Sequence, residues 1–114
     1  MEYDLEERTA VFGENVIEFV KTIKRDEFNR SLINQIIRSA TSIGANYMEA
    51  NQASSKKDFK NKIRISQKEA NETKYWLRMI AKTNKEKENE CRNLWKEAHE
   101  LTLIFAKISR TCSQ

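Results

Sequence analysis

Apolar residues recur along this chain at spacings of three and four, in four runs divided by polar stretches. Phe12, Val16, Phe19, Val20 and Ile23 make the first run, the mark of a helix with one buried face. It predicts a helix from about Asp4 to Arg25, with Asp4 and Glu7 spaced for a capping box. The polar stretch DEFNRS ends it. Leu32, Ile33, Ile36, Ile37, Ala40, Ile43 and Tyr47 predict a second helix over about Ser31 to Asn51. After QASS, Ser55 and Asp58 again give a capping-box start. Phe59, Ile63, Ser66, Ala70, Thr73, Leu77 and Ile80 carry a third helix to about Lys82. KTNKEK reads as a turn, and Cys91, Leu94, Ala98, Leu101, Phe105, Ile108 and Cys112 form a heptad-like fourth stripe. Ser113 and Gln114 are expected to fray. Amphipathic helices joined by short connections predict an all-α fold, an antiparallel up-down-up-down four-helix bundle.

Two of these helices carry more than the single face a bundle needs. At about 100° per residue, Ile65, Glu69, Glu72, Trp76 and Met79 fall together on the third helix, beside its core stripe. Either Trp76 widens that stripe, or the face is a subunit interface, where aromatics and Met are enriched. On the second helix Gln35, Ser39, Ser42, Asn46, Glu49 and Ala53 make a stripe of small and polar residues. They belong to the stretch around RSATSIGANYMEAN, which is unusually rich in poor helix formers. Small side chains let a neighbouring helix come close, and Asn and Glu can bond across the contact. Such a seam fixes register and partner choice more than it adds stability. The stretch therefore predicts tight packing, within the bundle or between subunits. The expected oligomer interface comprises Gln35, Ser39, Ser42, Asn46, Glu49, Ile65, Trp76 and Met79.

Composition agrees with the helical pattern. The chain is 39% hydrophobic and 33% charged, with no Pro and only two Gly, too few turn residues for a β-rich protein. Its 114 residues fit one domain, 1–114, with one core. No apolar run is long enough to span a membrane and no signal-peptide pattern precedes the first helix, so a cytoplasmic protein without membrane contact is expected. Cys91 and Cys112 stand 21 residues apart on one expected helix. That separates them by roughly 30 Å, too far for a disulfide within the chain. They read as buried free thiols.

No catalytic set emerges. His99 is the only histidine, and nothing pairs it with a serine and an acid at a suitable spacing. Glu69 and Glu72 are not followed by the histidines of a di-iron bundle. There is no Gly-rich phosphate loop. No enzyme activity, cofactor or metal site is expected.

Charge is the remaining signal. Between Lys56 and Lys68, six cations (Lys56, Lys57, Lys60, Lys62, Arg64 and Lys68) face one carboxylate, Asp58, in a chain whose formal charge is only +4. On the helical wheel Lys57, Lys60, Arg64, Lys68, Tyr75, Arg78 and Lys82 share one face, away from Phe59 and Leu77. Such a stripe can track a phosphate backbone, and a tyrosine within it can stack on an unpaired base. A solvated helix face gives the same pattern, and Glu69 and Glu72 stand near enough to soften its field.

Leu32 to Ile80 resembles the centre of the four-helix bundle proteins related to the 23S rRNA intervening-sequence protein. Arg38, Ser42, Ile43, Asn46, Glu49, Ser55, Asp58 and Phe59 fit that family's pattern, and EANETKYWL, Glu69 to Leu77, fits its closing part. The resemblance implies an antiparallel four-helix bundle that assembles into a homopentameric ring, without enzyme activity. A more distant relative is the accessory protein of diversity-generating retroelements, a basic pentamer that binds nucleic acid and a reverse transcriptase. The resulting expectation is a non-enzymatic, self-assembling bundle that binds RNA or DNA through the basic face of its third helix. The alternative is a protein-binding or scaffold module without nucleic-acid contact.

Overall fold

A computed structural model describes the backbone of residues 2–112 and the side chains of residues 5–112. The helices are α1 (Glu2–Val20), α2 (Asn29–Ala50), α3 (Lys56–Thr83) and α4 (Glu88–Cys112). A single 3-10 turn, Lys85–Lys87, leads into α4. Each helix packs on its two neighbours around a rod of 45 × 20 × 20 Å. Contacts across helix pairs run antiparallel: Thr9 meets Gly44, and Gly13 lies over Ala40 and Thr41. Likewise Ser39 meets Thr73 and Ile43 meets Ser66. The architecture is the antiparallel up-down-up-down bundle that the apolar stripes predict.

Those stripes make the core. Phe12, Val16, Ile33, Ile36, Ile43, Ile63, Leu77, Ile80, Leu101 and Phe105 are essentially inaccessible to solvent. Tyr47 of α2 packs its ring on Phe105 of α4 at 5.6 Å, across the diagonal of the bundle. The α1–α2 contact is close because Gly44 faces Thr9. A Cβ built on Gly44 stands 3.1 Å from the Thr9 hydroxyl and 3.3 Å from its Cβ. The slightest helix contact, α1 with α4, is tied by Arg8. Its guanidinium forks onto Glu97 with two bonds of 2.7 Å and reaches Glu100 at 2.7 Å.

The first helix departs from its expected end. It stops at Val20, five residues short of Arg25. The Thr22 hydroxyl then bonds the Phe19 carbonyl at 2.6 Å, and Ile23 still buries its side chain in the core from the turn. Asp26 supplies the local start of α2, accepting the amides of Phe28 and Asn29 at 3.0 and 2.8 Å. This Asx-type capture explains why α2 begins before Ser31. The capping-box expectation at the first helix falls on Asp4, whose side chain lies outside the described residues, as do Ser113 and Gln114. At α3, Ser55 accepts the Asp58 amide at 3.0 Å from an extended backbone, as the capping signal requires. Both cysteines are free, Cys91 buried and Cys112 only half-buried at the end of α4.

Candidate nucleic-acid interface

α3 is the longest helix and shows three distinct flanks outside the core. Its outermost ridge carries Lys57, Arg64, Lys68, Tyr75, Arg78 and Lys82, all exposed, and Lys60, which is half-buried. From Lys57 to Lys82 the ridge runs about 37 Å along the helix axis. Lys57, Arg64, Lys68, Arg78 and Lys82 form no ion pair with any described residue. Tyr75 is 54% exposed in their midst, in a T-shaped contact with the Trp76 ring at 5.1 Å between centroids. Such cations carry their full charge into solvent, where an anion can replace their counterions.

The flank towards α2 explains where the nearby acids go. Arg38 of α2 donates to Glu69 at 3.1 Å and to Glu72. The Trp76 indole N–H donates to Glu72 at 2.8 Å. Lys62 meets Glu49 at 2.7 Å, and that hydrogen-bonded carboxylate holds the ammonium above its usual pKa. Deeper in, the Ser39 and Thr73 hydroxyls meet at 2.8 Å, and Ser66 donates to the Ile43 carbonyl at 2.9 Å. The extra faces on the second and third helices are therefore largely each other's partners within one chain. Glu69 and Glu72 are drawn towards Arg38 and away from the ridge.

This placement shows how far the residues of the expected subunit interface are already engaged within one chain. Ser39 is fully buried between α2 and α3, which leaves its side chain no surface for another copy. Trp76 packs against the core, partly buried, so it widens the core stripe. Asn46 is half-buried and turns its amide onto the Ser42 carbonyl at 2.8 Å. Gln35 accepts from Arg38 at 3.2 Å, and Glu49 is engaged by Lys62. Ile65 stays 36% exposed and Met79 half-buried, and these two keep apolar surface on that flank.

The flank towards α4 holds a group that the apolar stripes do not reveal. Trp95 of α4 stacks on His99 one turn later, with centroids 5.0 Å apart and planes 15° from parallel. Lys74 of α3 reaches the His99 Nδ1 at 3.0 Å and stands 5.2 Å from the centre of the Trp95 ring. An ammonium can only donate, so in this contact Nδ1 is the acceptor. Beside this stack a groove of about 440 Å³ opens between the helices, lined by Leu77, Arg78, Ala81, Glu88, Cys91, Arg92, Trp95 and Lys96. A signal for it exists in the sequence: Cys91, Trp95 and His99 recur every four residues. The core stripe of the fourth helix shares only Cys91 with that row.

Among the described residues no cluster of three or more His, Cys, Asp or Glu is placed to hold a metal ion. No described helix is long and apolar enough to cross a membrane. The family model of the 23S rRNA-intervening sequence protein matches residues 2–107. The chain is also similar to a crystal structure from Bacteroides thetaiotaomicron, a protein with unknown function from the S23 ribosomal protein family. The two are 32% identical, the match covers 96% of this chain and 99% of that one, and the TM-score is 0.86. Neither description names an enzymatic activity. No curated protein matches the chain.

Proposed function

This chain belongs to the 23S rRNA-intervening sequence protein family, and from that premise we propose that it is a non-enzymatic, self-assembling cytoplasmic bundle that binds single-stranded RNA or DNA along the outer ridge of α3. The observation that carries this reading is the run of exposed cations that pair with no described acid, Lys57, Arg64, Lys68, Arg78 and Lys82, with Tyr75 exposed among them. Here the nearest acids on the α2 side, Glu69 and Glu72, are bound to Arg38. Binding of this kind is largely blind to sequence, because phosphates position a strand without reading it.

The test is a salt titration of fluorescent single strands against wild type and the double variant Arg64→Glu, Lys68→Glu. Both residues are exposed, so the fold should survive. Wild type should bind at low salt and weaken steeply as salt rises. Losing two phosphate contacts should flatten the slope of log K against log salt by about 1.4 for a single strand. A wild type that binds no strand at low salt, or a variant with unchanged affinity and slope, would make the ridge a solvated surface and favour the scaffold alternative.

A further inference from the structure

We propose that the groove between α3 and α4 receives one unpaired base of a single-stranded RNA, stacked on the Trp95 indole, with the flanking phosphates held by Arg78, Arg92 and Lys96. The proposal rests on the ridge reading above and gives it a site where a base, and not only the backbone, is bound.

An exposed tryptophan alone means little, since scattered surface hydrophobes are common. Trp95, 39% exposed, is different because of what holds it. His99 stacks on it from one turn further along α4, and Lys74 fixes His99. The groove lies mostly on the other side along the helix, towards Glu88, Cys91 and Arg92. The indole thus lines an open cleft while it is held by a stacked imidazole, and it is already oriented before anything binds. Preorganised aromatic surface lowers the ordering cost of binding.

The cleft itself selects the chemistry. Its floor is apolar, from Leu77, Ala81 and Cys91, and its volume of about 440 Å³ is in the range of small-ligand sites. Its rim carries three cations, Arg78, Arg92 and Lys96, against one carboxylate, Glu88. An apolar floor with an aromatic wall suits a flat ring, and a cationic rim suits the anionic groups attached to it. A nucleotide within a strand has both. Continuity points the same way: Arg78 belongs to the ridge and to the groove, so a strand lying on the ridge passes the mouth of the cleft.

The experiment measures binding of a 12-nucleotide RNA, and of an abasic strand of equal length, by fluorescence anisotropy. Wild type is compared with Trp95→Leu, Trp95→Phe and the ridge variant Arg64→Glu, Lys68→Glu, with helicity and melting checked by circular dichroism. Trp95→Leu should weaken binding of the base-bearing strand roughly five- to 150-fold, the worth of one stacked base, and leave the abasic strand unaffected. Trp95→Phe keeps a ring and should retain most of the affinity. If Trp95→Leu binds RNA as well as wild type, or loses both strands equally, the groove proposal is wrong while a salt-sensitive ridge can stand. If only the ridge variant loses affinity, and it loses both strands, the groove is again not a base site. If wild type binds neither strand, both proposals fall. An acidic peptide of equal charge that competes as well as the RNA would also overturn the proposal, since the groove would then read charge without a base.

Discussion

Cys91 shows how one buried residue sets a dependence on pH. It is 3% exposed at the head of α4. Burial foremost, and then the charges of Glu90 and Glu88, push its thiol up to about 11. The folded chain therefore keeps the thiol proton at a pH where the unfolded chain has lost it. Stability from this source is complete below the ordinary thiol pKa and is lost as pH rises through about 9 to about 11. Between pH 8 and pH 10 the loss should be about 1 kcal/mol. Urea unfolding at both pH values should show that extra decline in wild type and not in Cys91→Ala; equal declines would remove the argument. The burial of Cys91 was legible from its place in the apolar stripe. The stack beside it left only a faint trace, the four-residue row of Cys91, Trp95 and His99, because Trp95 and His99 lie at the edge of that stripe.

At the scale of elements, the turn between α1 and α2 and the turn between α3 and α4 lie at the same end of the rod and are locked by a pair of amides. Asn29 donates to Asn84 at 3.1 Å and to the Lys24 carbonyl at 2.9 Å. Asn84 returns a bond to Asn29 at 2.9 Å and donates to the Ile80 carbonyl at 2.9 Å. The Thr83 hydroxyl closes the set on Asn29 at 2.8 Å. Asn29 and Asn84 are 1% and 4% exposed, so removing one strands the other away from water. Asn84→Ala should cost about 1–3 kcal/mol. In a double-mutant cycle with Asn29→Ala, measured by denaturant unfolding, the two costs should fall short of adding by about 0.5–3 kcal/mol. Simple additivity would mean that the turns are not coupled. This lock explains what periodicity could and could not reveal. Spacings of three and four exposed each helix and its buried side. They did not show that Asp26 would start α2 early, since that is a local side-chain capture. Nor did they show that the extra faces of α2 and α3 would meet, since a wheel gives an angle on one helix and not the identity of its neighbour.

At the scale of the whole molecule, the proposed assembly would depend on what the α2–α3 seam leaves over. Most of its polar groups are satisfied within the chain, and among the described residues no buried side-chain nitrogen or oxygen lacks a partner. A second copy would therefore add little by hydrogen bonding there. Its gain would come from covering apolar surface, and on that flank Ile65 and Met79 provide it. This also decides which variant is informative. Trp76→Glu would set a new carboxylate beside Glu72 and against the core, and so would weaken the chain itself. Ile65→Glu touches surface that is already 36% exposed, so it should leave the bundle folded and separate copies only if that flank joins them. Light scattering should give a smaller species for Ile65→Glu than for wild type, with helicity retained. Assembly also predicts a split in binding. A long single strand that reaches ridges on several copies gains by multivalency, whereas a short one does not. Ile65→Glu should therefore weaken binding of the long strand by about 10²-fold or more and leave a 12-nucleotide strand nearly unchanged. A wild type that stays monomeric at high concentration, or a variant of unchanged size, would show that the ridges act singly, and the affinity of each bundle would then rest on its own cations and the Trp95 groove alone.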